Sequence, residues 1–158
     1  MAEDELRTPR TLHALVVDDD LVSRRIAVAM LRDLGVGEIV EAADGQEALS
    51  RLRDAGRTFD LALCDLEMPG MDGVELLAQL GTERPGQTVV LMSSLDRALV
   101  SAVETLASSN GLRVLGAIAK PVLRPRLQAI LAQLTARSAK LGAAADEAPF
   151  TPADLRAA

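Results

Sequence analysis

Three carboxylates, a hydroxyl and an ammonium stand where apolar runs of this sequence end. Asp18 and Asp19 follow the run 12–17, Asp65 follows 61–64, Ser93 follows 88–92 and Lys120 follows 113–119. Strands of a parallel sheet all deliver their carboxyl ends to one edge, so residues far apart in sequence can meet there. An Asp presented in this way is a nucleophile or a metal ligand. Three such acids repel one another in a partly buried crevice, and a divalent cation removes the repulsion. Oxygen-only ligands with room for waters and a phosphate oxygen fit Mg²⁺ rather than zinc. Asp65 is then a carboxylate placed to attack an activated phosphoryl group, Lys120 a compact positive charge, and Ser93 a hydrogen-bond donor to the arriving oxygens.

The elements that would hold these groups alternate regularly. Strands are predicted at 12–17, 38–42, 60–64, 88–92 and 113–119, the fourth buried on both faces. Helical spacing joins Val22, Ile26 and Met30 after the first strand, with Ala27, Leu31 and Leu34 beside them and Arg24, Arg25, Arg32 and Asp33 on the other side. Leu49 and Leu52 face inward after the second, Val74, Leu76, Leu77 and Leu80 after the third, Leu99, Val103 and Leu106 after the fourth, and Leu127, Ile130, Leu131 and Leu134 after the fifth. Asp20, Asp44 with Glu47, Asp72 with Glu75, and Asp96 read as helix caps, and Pro125 as a first helical position. Five strands alternating with five helices specify an α/β fold: a doubly wound parallel sheet with helices on both faces. If the strand order is 2-1-3-4-5, strands 1 and 3 flank the switch point and bring Asp18 and Asp19 beside Asp65.

Composition narrows the alternatives. The 158 residues contain 49% hydrophobic residues, enough for one core, but only two Phe and no Trp or Tyr. Base stacking has no platform here, and a net charge of −6 opposes a nucleic-acid footprint. One cysteine, Cys64, allows no internal disulfide and suits a reducing cytosol. No apolar run approaches membrane-spanning length. A cytoplasmic location, with no direct nucleic-acid or membrane partner, is the expectation.

The ordered combination of Asp18-Asp19, Cys64-Asp65-Leu66-Glu67-Met68-Pro69-Gly70-Met71-Asp72-Gly73, Ser93 and Lys120-Pro121 resembles the receiver domain of two-component response regulators over about residues 12–135. The resemblance implies a flavodoxin-like fold and phosphotransfer to Asp65 from a sensor histidine kinase or phosphotransfer protein. It implies Mg²⁺ on Asp18, Asp19, Asp65 and the backbone carbonyl of Glu67, with Ser93 and Lys120 sensing the phosphoryl group. Ala117 stands where most receivers carry Tyr or Phe, so the usual aromatic switch is missing. The segment 93–120 also looks longer than usual. Residues 115–121, the fourth helix and residues 150–155 resemble regulators whose receiver precedes an EAL-type cyclic-di-GMP phosphodiesterase, although no EAL catalytic residue is present.

Domain expectations follow: a flexible arm at 1–11, the receiver at 12–135, and at 136–158 a linker and the start of a missing C-terminal output domain. Thr151-Pro152-Ala153-Asp154 reads as that domain's first helix start. Apolar positions exposed on the fourth or fifth helix would give a homodimer face. Two other functions compete. A haloacid-dehalogenase-like phosphatase would use Asp18-x-Asp20, Ser93 and Lys120 but leaves Asp65 without a task. A phosphorylation-independent pseudo-receiver would only dimerise or dock. Cys64 reads as core, His13 has no metal-binding partner in sequence, and the Glu67 side chain either repositions water near the phosphoryl site or faces solvent.

Overall fold

The computed structural model describes residues 9–56, 58–67, 73–94 and 96–147, the last eleven of these as backbone only. The expected cap Asp72, the loop residues Met68, Pro69, Gly70 and Met71, and the expected helix start at 151–154 lie outside the described residues. A 3₁₀ turn at Pro9–Thr11 leads into β1 (His13–Val17). Then follow α1 (Leu21–Asp33), β2 (Glu38–Ala42), α2 (Gly45–Ala55), β3 (Leu61–Asp65), α3 (Gly73–Glu83), β4 (Thr88–Ser93), α4 (Arg97–Ser109), β5 (Arg113–Ala119) and α5 (Arg124–Glu147). All strand pairs are parallel, in the order β2-β1-β3-β4-β5.

Side chains alternate across the sheet, and each face has its own core. Leu15, Val17, Ala62, Cys64, Val89 and Leu91 pack under α2, α3 and the end of α4. Ala14, Val16, Leu61, Leu63, Val90 and Met92 pack under α1 and α5. Burial on both faces explains why these strands are apolar without alternation. The expected caps at Asp20, Asp44 and Asp96 accept hydrogen bonds from the N–H groups of Ser23, Glu47 and Leu99. The Glu47 carboxylate, however, accepts from Ala43 N–H, one residue before the cap.

Two helices are rotated relative to the expected stripes. In α1 the inward positions are Arg24, Ala27, Val28 and Leu31, whereas Val22 and Ile26 are 65% and 47% exposed. Arg24 sets the rotation: Nη1 donates to the Asp18 carbonyl at 2.8 Å and Nε to Glu41 at 2.9 Å. In α4 the inward face runs through Val100, Val103 and the fully buried Ala107, leaving Leu99 and Leu106 facing outward. Stripes one position apart both satisfy helical spacing, and small Ala107 lets the helix approach the sheet closely. α5 begins at Arg124, so Pro125 is its second position, and its backbone continues helically to Glu147.

Gly81, in the interior of α3, shows how tightly the layers are packed. A Cβ there would lie 2.1 Å from the carbonyl oxygen of Asn110, at the end of α4. Helix propensity alone predicts that Gly81→Ala stabilises by about 1 kcal/mol. The contact reverses the sign: urea unfolding should show a loss of about 1–3 kcal/mol from overpacking. A gain in stability would contradict the close approach.

Candidate functional site

Four strand ends and their register build the site. Val17 pairs with Cys64, so Asp18 and Asp65 emerge side by side from β1 and β3. Asp65 pairs with Met92, and Ser93 pairs with Ala119, which brings Ser93 and Lys120 to the same edge. Backbone bonds continue past the ladder: Leu66 N–H donates to the Met92 carbonyl and Lys120 N–H to the Ser93 carbonyl, both at 3.0 Å. The chain leaves this edge through a cis Lys120–Pro121 bond.

Asp18, Asp19 and Asp65 each offer a carboxylate oxygen, and these atoms lie within 4.8 Å of one another. Asp18 and Asp65 are buried, while Asp19 is exposed. Lys120 Nζ lies 3.1 Å from Asp18 Oδ2 and 3.4 Å from Asp65 Oδ2, bridging the two buried acids. Asp18 Oδ1 accepts from Asp20 N–H at 2.9 Å. Its Oδ2 is buried and accepts no well-directed hydrogen bond, despite the nearby ammonium. A buried oxygen with unused acceptor capacity, beside two further carboxylates, suits a hard divalent cation. The donors are all oxygen, with no thiolate or imidazole among them.

The charges are unequally held. Burial pushes the Asp18 carboxyl up, but the Asp20 N–H, Ser23 and Lys120 together bring it below the ordinary carboxylate value. For Asp65, burial wins: with the Asp18 charge beside it, the carboxyl is pushed up to about 6, against the pull of the Glu67 N–H and Lys120. Burial disfavours the Lys120 ammonium, but the two carboxylates hold it above its ordinary value. Of the two buried acids, Asp65 is thus the one whose charge the fold supports less.

Other residues fall where the sequence did not point. Glu67 N–H donates to Asp65 Oδ1 at 3.0 Å, while the Glu67 side chain reaches the end of β4. There it accepts from Ser93 Oγ at 3.0 Å, Ser94 N–H at 2.9 Å and Ser94 Oγ at 2.8 Å. Burial raises the Glu67 carboxyl, but the Ser94 and Ser93 hydrogen bonds and Lys120 keep it below its ordinary value. Ser94 and Arg24 carry no sequence signal of their own. Ala117 lines a cavity of about 200 Å³ between α4 and β5, with Arg97, Val100, Ser101, Glu104 and Arg126.

Three residues stay outside the cluster. Asp20, the second acid of the phosphatase reading, is exposed and spends its carboxylate as the α1 cap. Cys64 is buried, and burial with the Asp65 charge pushes its thiol up to about 12, leaving it inert. His13 lies at the opposite end of β1 against Phe59, with ring centroids 4.4 Å apart.

The Asp65 shift has a signed consequence. The native carboxyl holds its proton to about pH 6, whereas the reference value is 3.8. Between these values the native state binds more protons than the unfolded chain, so this group's contribution to stability falls as pH rises. Asp65→Asn removes the effect. In EDTA, the melting temperature of this variant relative to the parent should rise between pH 4 and pH 6, reaching about 3–6 °C at neutral pH. A difference independent of pH would contradict the assignment.

The response regulator receiver domain model matches residues 14–132. The cyclic di-GMP phosphodiesterase RocR of Pseudomonas aeruginosa is 37% identical over 126 residues, covering 80% of this chain and 32% of that protein. The transcriptional regulatory protein ZraR of Klebsiella oxytoca is 36% identical over 124 residues, covering 78% and 26% respectively. The chain therefore spans at most about a third of these curated relatives. A CheY-like receiver domain protein from Methanospirillum hungatei superimposes with a TM-score of 0.69 and 26% identity, over 83% of this chain and 98% of that one. No helix among the described residues is long and apolar enough to cross a membrane. The matched family, the strand order and the acidic edge agree: this chain belongs to the receiver domains of two-component response regulators, phosphoacceptor modules of phosphorelay signalling rather than turnover enzymes.

Proposed function

We propose that Asp65 accepts a phosphoryl group from a sensor histidine kinase or phosphotransfer protein in the cytoplasm. The observation that carries this reading is the meeting of three carboxylates and Lys120 at the β1–β3 edge. An oxygen of Asp65 forms the new bond to phosphorus as the phosphorus–nitrogen bond of the phosphohistidine breaks, and the electron pair leaves with the imidazole. The product is an acyl phosphate. Asp18, Asp19 and Asp65, with the backbone carbonyl of Glu67, would hold Mg²⁺, which when bound neutralises charge on the transferring group. Lys120 would shift from its two carboxylates towards the phosphoryl oxygens, and Ser93 would donate its hydroxyl to one of them.

The phosphoryl group adds about −1.5 to −2 charge to this corner at neutral pH. With Ala117 in place of an aromatic, the change would pass through the 93–120 segment, whose helix presents Leu99 and Leu106 to solvent. Those leucines would serve pairing of two copies. The RocR likeness supports an EAL-type output domain beyond residues 136–158, with the long α5 as connector; this activity would belong to the longer protein.

Incubation with acetyl phosphate and Mg²⁺ should add one phosphoryl mass, located on the peptide that contains Asp65 and cleaved by hydroxylamine. Asp65→Asn should abolish it, and Asp18→Asn should slow it by about 10- to 100-fold through the metal. A phosphoryl group on Asp18 would instead support the phosphatase chemistry. No labelling with Mg²⁺ present would support a pseudo-receiver.

A further inference from the structure

Glu67 spends its carboxylate in a way that bears on switching. Its two oxygens take the Ser93 hydroxyl, the Ser94 N–H and the Ser94 hydroxyl, three donors of one corner. A serine hydroxyl has a single proton to donate. Ser93 therefore cannot donate to Glu67 and to a phosphoryl oxygen at the same time. The Glu67 N–H donates to Asp65 Oδ1, so nucleophile and latch carboxylate share one short turn. A phosphoryl group arriving at Asp65 competes for the Ser93 proton and repels the Glu67 charge.

Space for the corner to move is also present. A cavity of about 200 Å³ lies behind it, lined by Ser93, Arg97, Val100, Ala117 and Arg126. The small side chain of Ala117 is part of that lining, and Asp96 caps α4 two residues beyond Ser94.

We propose that Glu67 is a positioning residue: a latch that holds the Ser93–Ser94 corner in its unphosphorylated arrangement and must let go before the phosphoryl group is clamped. This rests on the reading of Asp65 as phosphoacceptor. Where an aromatic rotamer cannot report the event, an exchange of hydrogen-bond acceptors by Ser93 does so, and the released corner moves the start of α4.

The test is the affinity of the full chain for beryllofluoride in saturating Mg²⁺, read by fluorine NMR. Glu67→Ala should bind it about 3- to 30-fold more tightly, as hydrogen bonds to a charged group no longer oppose binding. Glu67→Gln, which keeps the side-chain shape and excludes a folding defect, should fall between the two. Ser94→Ala should give a smaller gain, and Glu67→Ala should gain less in the Ser94→Ala background, since both act on one network. Unchanged or weaker binding by Glu67→Ala and Glu67→Gln overturns the latch. The same gain with and without the Ser94 hydroxyl also overturns it, because Glu67 then acts only as a distant negative charge. If the parent chain binds no beryllofluoride, or Asp65→Asn binds it equally well, the phosphoacceptor reading itself fails.

Discussion

The confinement of three carboxylates at one edge, two of them against a single ammonium, is the constraint on which this structure turns. Lys120 touches Asp18 and Asp65 at once, and neither pair alone accounts for the site. A buried acid without compensation is costly, and one lysine compensates two acids only in part. The remainder shows in the raised Asp65 carboxyl and in the Asp18 oxygen without a hydrogen bond. The site is thus poised to gain positive charge. A fold optimised for stability alone would replace one of these acids by a neutral residue.

The rest of the chain serves this confinement. Parallel register places Asp18, Asp65, Ser93 and Lys120 on one edge, and two apolar layers hold the strands rigidly enough to keep them there. Arg24 ties α1 to the Asp18 carbonyl and thereby fixes the turn that carries Asp18 to Asp20. Past the ladder the edge is held by a few backbone bonds, among them Leu66 N–H to Met92 and Lys120 N–H to Ser93, and by side-chain contacts such as those of Glu67. This division between a rigid sheet and exchangeable side-chain contacts suits a module that changes state without unfolding.

Much of this was legible in the sequence because strong signals carried it. Buried parallel strands are continuous apolar runs, caps are short polar residues before helical spacing, and chemistry sits where the runs end. Helix rotation was not legible. In α1 the decisive residue is Arg24, whose inward place depends on acceptors at Asp18 and Glu41 that a helical wheel does not contain. In α4, Leu99 and Leu106 are larger and more apolar than Ala107, yet Ala107 is the residue buried. The irregularity where β4 pairs with β5 at Val89/Val90, with Gly116 at φ +156°, also leaves no mark in a run of small apolar residues. At the site, Asp18, Asp19, Asp65, Ser93 and Lys120 were named from position alone. The hydrogen bonds of Glu67 were not, because they join residues 26 and 27 positions apart.

Relief of carboxylate repulsion by a shared cation is measured most directly by a thermal titration. At neutral pH the melting temperature of the parent chain should climb steadily with the logarithm of Mg²⁺ concentration above its dissociation constant. Asp18→Asn and Asp65→Asn should each flatten the climb, whereas Asp20→Asn, altered only at an exposed helix cap, should retain it. An identical climb in all four proteins would mean that magnesium binds elsewhere, and would contradict the account.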